Sequence, residues 1–288
     1  MAALKLADVF NWPRTGPTLF ALSTFMCWIG VADTYSEVVA IRNPWGLTRV
    51  LNLEPLIGMP SVLITTAILA FSGVQFARKG GSTFYAALIF LIIFLYARIE
   101  EALDPGVENV MHGKFLPGGM MIAWCIGASW GRSRDADGGV RRGVEMAAGV
   151  VAALYLWAGL IKIVNSGFGW VHSVNLPLLV LERAYMAGDV KGSLRVWFAE
   201  QGALLELFSG IVVLIECSGL AVLWPRWRIT FAACATIMHL SIGTLLGYYY
   251  VEWCMGIWSL AIWSRYLYKV APIEAPSEPI LRAQNTPV

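Results

Sequence analysis

Lys162 stands in the apolar run YLWAGLIKIVN, where a charged side chain has little water to face. A lysine held in such a low-dielectric pocket can be neutral and serve as a base, whereas a lysine one turn from a helix end can also run its long stem out to the polar surface. His239, in ATIMHLSIGTLLG with Ser241 and Thr244 beside it, offers an imidazole for proton transfer. It can equally tie two helices together by a hydrogen bond worth about 1 kcal/mol. His112, in ENVMHGKFLPG, sits at the mouth of a helix and reads either as a site residue or as a solvated loop histidine, while His172, in GWVHSV, reads as a surface residue. Two acids, Glu206 and Glu216, share one apolar helix ten residues apart. That spacing turns them about 80° from each other on the helix. Glu206 is expected to face the space beside Lys162, and Glu216 to bond Arg226 or Arg228 near the opposite end. Asp33 and Glu37, four residues apart, and Arg98 with Glu100 and Glu101 are expected to build a polar rim. No HExxH, GxSxG, phosphate-binding glycine loop or dinucleotide fingerprint occurs. Three histidines on separate segments do not make a metal site, so no metal is expected.

The elements that must position these residues follow from composition. Of the 288 residues, 58% are hydrophobic and only 14% charged, and the mean hydropathy is +0.64. Soluble domains carry roughly 25% charged residues, so an ordinary water-soluble enzyme is excluded. The 13 Trp, 13 Phe and 10 Tyr exclude disorder. A net charge of +2 is too small to point to a nucleic acid. The five cysteines, Cys27, Cys125, Cys217, Cys234 and Cys254, lie in apolar runs without CxxC spacing and read as small buried hydrophobes.

The expected fold is all-α: a polytopic transmembrane bundle of about eight spans, near 17–39, 57–77, 82–100, 115–131, 144–164, 203–224, 229–250 and 252–268. One bundle occupies 1–270, and 271–288, rich in proline, reads as a loose cytoplasmic tail. No signal peptide is evident. Thirteen Lys and Arg fall on one side of this arrangement and seven on the other, which puts both termini in the cytoplasm. Segment 165–202 then lies outside, with LPLLVLERAY and RVWFAE as short interfacial helices. In this orientation Lys162, His112, Glu206, Glu100 and Asp33 share the outer half of the bundle, with His239 a few turns below. A polar cavity opening outward and sideways accounts for them together.

Residues 155–170, YLWAGLIKIVNSGFGW, resemble the vitamin K-dependent gamma-carboxylase-like membrane proteins, also called the HTTM family. The family pattern is an aromatic-rich helix reading roughly Y-x-x-A-G-x-x-K, then a short turn and a Trp. It is matched here by Tyr155, Ala158, Gly159, Lys162 and Trp170. A later family helix with an acid before an Arg-bearing turn is matched by Glu216 and Arg226 or Arg228, and a helix with a histidine by IMHLSIG and His239. Upstream, Met111-His112-Gly113-Lys114-Phe115-Leu116 resembles a family N-H-x-x-[LY] segment, with Met111 in place of the Asn. The resemblance covers about residues 105–263.

The resemblance implies Lys162 as the base toward reduced vitamin K, with His112 and His239 lining that site. It further implies that Tyr155, Gly159, Trp170 and Glu206 hold the cofactor, a vitamin K-like quinol entering sideways from the bilayer. It also implies a peptide or protein partner on the outer face. In the animal enzymes a large luminal domain follows the helices and helps to bind the peptide, so the resemblance implies the membrane module and not protein carboxylation. Two other classes share the hydropathy. One is a non-enzymatic lipid- or partner-binding membrane subunit or maturation factor, and the other a DoxX-like quinone-reducing subunit. A proton-abstracting Lys162 separates the first reading from both.

Overall fold

The computed structural model describes residues 13–37, 50–103, 108–131, 136–172, 175–189, 191–247 and 249–270. Among them are ten α-helices and no strand. The helices are α1 (Thr15–Glu37), α2 (Met59–Arg78), α3 (Thr83–Leu103), α4 (Glu108–Gly131), α5 (Ala136–Ser166), α6 (Asn175–Met186), α7 (Leu194–Glu200), α8 (Gly202–Cys217), α9 (Arg228–Leu246) and α10 (Val251–Val270). Short 3-10 turns at Gly167–Trp170, Ser218–Leu223 and Pro225–Trp227 join or extend them. The 271–288 tail expected from the sequence lies outside the described residues.

Four helical stretches among the described residues are long and apolar enough to cross a membrane: Met59–Arg78, Gly138–Ser166, Gly202–Leu223 and Pro225–Leu246. Thr83–Ile99 is apolar but shorter. Helix α5 begins eight residues before the expected span, because the small and polar residues of its first turns continue the helix. The 165–202 segment holds the two short helices α6 and α7, and Ser193 caps α7 by accepting a bond from the Val196 amide at 3.4 Å.

Apolar side chains fill the core and also cover much of the surface. Leu63, Ile64, Phe71 and Val74 of α2, Leu207 and Leu214 of α8 and Ile237 of α9 point outward. Ser23, Thr24, Thr65, Ser72, Ser209, Ser259 and Ser264 are buried. Water as solvent disfavours so extensive an exposed apolar surface. Cys27 and Cys254 are buried as expected, but Cys234 is exposed. It stands on the outward face of α9.

Aromatic packing closes one end of the bundle. Trp124 of α4 stacks on Trp263 of α10 at 5.8 Å and meets Phe76 of α2 edge-on at 5.0 Å. Phe20 of α1 completes the group against Phe76 at 6.0 Å. At the other end Trp28 of α1 donates to Thr66 of α2 at 2.8 Å, and Tyr96 of α3 donates to the Leu56 carbonyl at 2.5 Å.

Candidate functional site

Helix α5 is the scaffold of the site. Three polar residues on it, Glu145, Tyr155 and Lys162, each reach a partner on another helix. Near the end of α5, Lys162 Nζ donates to both carboxylate oxygens of Glu216 on α8. Both side chains are largely buried, at 20% and 10% exposure. The approach depends on Gly159. A Cβ built there would lie 2.7 Å from Cys217 Sγ and 2.8 Å from the Cys217 amide nitrogen. With a Cβ there, α8 could not close on α5 at this level. Gly159, expected from the resemblance to hold a cofactor, is therefore filled by a helix–helix contact.

The expected pairing of Glu216 with Arg226 or Arg228 is corrected: Glu216 bonds Lys162 instead. Arg228, only 1% exposed, bonds Glu145 at 2.5 Å, the Val222 carbonyl at 2.7 Å and the Ser264 hydroxyl. Glu145 also accepts from Tyr268 at 2.8 Å. The reason lies in helix register. Gly159 faces Cys217, so α8 runs about 22 Å beyond that level to its start, while α5 runs about 10 Å to its own end. Depth counted from the helix ends therefore places Glu216 too low.

Seven residues before Lys162, and so on the same face of α5, Tyr155 is buried. Its hydroxyl meets His239 Nε2 at 2.6 Å. Taking the buried hydroxyl as donor assigns the ring proton of His239 to Nδ1. The rings of Tyr250 and Trp253 lie 5.1 and 5.7 Å from that of His239. Gly247, at φ +78°, ends α9 in the left-handed conformation and turns the chain so that these α10-side rings return over the imidazole. His239 is 6% exposed, yet its Nδ1 has no hydrogen-bond partner. It lines a cavity of about 310 Å³ with Leu19, Tyr249, Tyr250, Cys254 and Trp258, whose walls are almost wholly apolar.

Lys162 is not among the residues lining that cavity. Its ammonium instead lies 5.4 Å from the ring centroid of Trp170. Trp170 borders a second space of about 670 Å³ with Ser166, Leu176, Glu182 and Ser209. The single cavity expected for Lys162 and His239 is thus two spaces, with the Lys162–Glu216 pair between them along α5. Glu206, expected beside Lys162, is paired with His172 at 3.3 Å; both are well exposed, so that contact is worth little. His112 lies in the early turns of α4, and its side chain is outside the described residues, as are those of Asp33, Glu37, Glu100 and Glu101. The Arg98 guanidinium covers the Phe94 ring at 5.4 Å.

Compared with protein-family models, curated proteins and solved structures, the chain matches none. Among the described residues no three His, Cys, Asp or Glu side chains group closely enough to hold a metal ion.

Sequence reasoning missed the Arg228–Glu145 bond and the aromatic wall around His239. One signal for the Lys162–Glu216 pair was present. Lys162 and the two acids Glu206 and Glu216 stood in consecutive long apolar helices, and opposite charges seek each other in a low dielectric.

Proposed function

We propose that this chain is a multi-pass membrane protein of about eight spans, with both termini cytoplasmic and 165–202 outside. It binds an aromatic, lipid-soluble ligand, a reduced quinone of the vitamin K type, beside His239. The membrane reading is supported by the outward apolar faces, the buried hydroxyls and the four stretches able to cross a bilayer. The ligand reading rests on one observation. The buried Nδ1 of His239 lacks a partner at the wall of an apolar cavity. A buried donor without a partner is costly, and a ring oxygen on a flat apolar ligand would satisfy it.

A reduced quinone supplies phenolic hydroxyls and a pair of electrons. On the protein side, Tyr155 holds the imidazole in one orientation, and Nδ1–H is presented to an acceptor. Lys162, which does not line the His239 cavity, would act as a base toward a ligand group reaching beyond that cavity, once one ammonium proton has moved to the Glu216 carboxylate it already touches, leaving a neutral amine and a neutral acid.

A second reading, a ligand-binding subunit without turnover, is favoured by the same ion pair. Two carboxylate oxygens on one ammonium also make a sound structural tie. Titrating a naphthoquinone into the detergent-solubilised protein and following tryptophan fluorescence tests binding, since Trp258 borders the cavity. His239→Leu should weaken binding about three- to tenfold, as loss of one hydrogen bond does; unchanged affinity overturns the ligand site. Oxygen uptake with the reduced naphthoquinone then separates the readings. Turnover lost in Lys162→Arg with binding intact supports the base, because a guanidinium stays protonated. Turnover retained in Lys162→Arg eliminates the base, and binding without turnover in the unaltered protein supports the subunit.

A further inference from the structure

Helices α6 and α7 belong to a small core of their own. Val180 of α6, Ala199 of α7, Leu205 of α8 and Leu245 of α9 are buried together, apart from the main core. Leu245 lies in the last turn of α9, so this core grips the end of the helix that carries His239. A polar contact joins the same two parts. Arg195 of α7 donates from Nε to the Thr244 carbonyl at 2.9 Å and from Nη1 to the Asp189 carboxylate at 3.2 Å. Both charged side chains are mostly covered. Thr244 is among the last four residues of α9, whose carbonyls a helix leaves without intrahelical partners, and a cation is favoured at that end of the helix dipole. The chain leaving this braced turn forms one wall of the His239 cavity, through Tyr249, Tyr250 and Val251. The Tyr249 ring is seated on Gly243: a Cβ there would run into Cδ1 of that ring and lie 2.6 Å from its Cε1. Tyr249 is also 58% exposed, so its ring stands between the cavity and the outside.

We propose that the Tyr249 ring is the movable wall of the His239 cavity, and that Arg195 is the positioning residue that keeps this wall closed by fixing the last turn of α9. A half-exposed ring held on one face opens more readily than one packed on every side. Its seat is on Gly243, and the next residue, Thr244, carries the carbonyl that Arg195 holds. Arg195 therefore acts on the cavity through α9. What enters the cavity rests on the ligand reading above; the wall and its brace do not.

Cys254 is buried and lines the same cavity, so its alkylation by N-ethylmaleimide reports opening without any quinone. In the full chain with Cys254 as sole cysteine, Arg195→Gln should speed this labelling about five- to tenfold, as loss of a hydrogen bond from a charged donor does. Arg195→Lys should restore much of the slow rate, since an ammonium can still donate to the carbonyl. Asp189→Asn, which leaves the bond to Thr244 in place, should give a smaller increase. Tyr249→Ala should label fast already, and adding Arg195→Gln to it should change nothing further. With Cys27 as sole cysteine, buried in α1 and not among the lining residues, Arg195→Gln should leave the rate unchanged. Equal acceleration at Cys27 would show a general loosening and overturn the proposal. So would an unchanged Cys254 rate, no labelling of Cys254 in any variant, or additive effects of Tyr249→Ala and Arg195→Gln. Naphthoquinone separates the two readings. If Cys254 responds as expected but naphthoquinone neither binds nor protects it, the ligand reading fails and the wall stands. If naphthoquinone protects Cys254 while Arg195→Gln changes no rate, the wall fails and the ligand reading stands.

Discussion

Lys162 of α5 and Glu216 of α8 share one ion pair, with both carboxylate oxygens on a single ammonium. Each charge is inside the bundle because the other is there. Removing one partner leaves the second buried and alone, which costs about 3–5 kcal/mol, whereas replacing both with apolar groups of similar volume is often neutral. Lys162→Met and Glu216→Leu singly should each lower the unfolding midpoint in detergent, and the double variant should recover most of the loss. Additive losses in the double variant would show that the two residues act separately.

The contact that brings the pair together can be disturbed without touching either charge. Gly159→Ala places a methyl group 2.7 Å from Cys217 Sγ and 2.8 Å from the Cys217 backbone nitrogen. Overpacking of this kind costs roughly 1–3 kcal/mol. Cys217→Ala in the same chain should relieve only part of it, because the backbone nitrogen remains. Full recovery, measured by thermal unfolding, would mean that the thiol alone sets the helix spacing.

Tyr155→Phe keeps the ring packing against Phe231 and Trp253 and deletes one bond to His239. Stability should fall by about 0.5–1.5 kcal/mol. The freed imidazole no longer has a fixed tautomer, so naphthoquinone affinity should fall as well. A stability loss with unchanged affinity would make Tyr155 a packing residue only.

Arg228 is expected to be the most sensitive cation in the chain. It is buried and bonds Glu145, Ser264 and the Val222 carbonyl, so it ties α5, α9 and α10 together. Arg228→Ala should cost about 3–5 kcal/mol by leaving Glu145 without its charge partner. Arg228→Lys should recover only part, since an ammonium does not reproduce the planar fork. Equal stability of the Ala variant, by chemical denaturation in detergent, would contradict this account.

Orientation is open to a direct measurement. In a background where exposed Cys234 is replaced, Lys191→Cys, between α6 and α7, should react with an impermeant maleimide added outside intact cells. Reaction only after the cells are opened would invert the proposed topology.

The all-helical build was legible in the residue order. Charge is scarce, apolar runs of spanning length recur, and polar groups are few enough to stand out, so the all-helical build and the membrane reading need little more than composition and period. The same scarcity drew attention to Lys162, His239 and Glu216, whereas Tyr155 was marked only by the family resemblance. Pairing was a different matter. Glu216 was assigned to an arginine by counting depth from the helix ends, but α8 overshoots α5, and the close contact at Gly159 slides Glu216 up to Lys162. Arg228 then finds Glu145, which stands at the very start of an expected span, where an acid reads as a surface residue. Helical period is a local property that backbone hydrogen bonds impose within each segment. Which charge meets which depends on the axial offset between segments, and that offset is set by where two backbones can approach, a relation that exists only once the helices are packed.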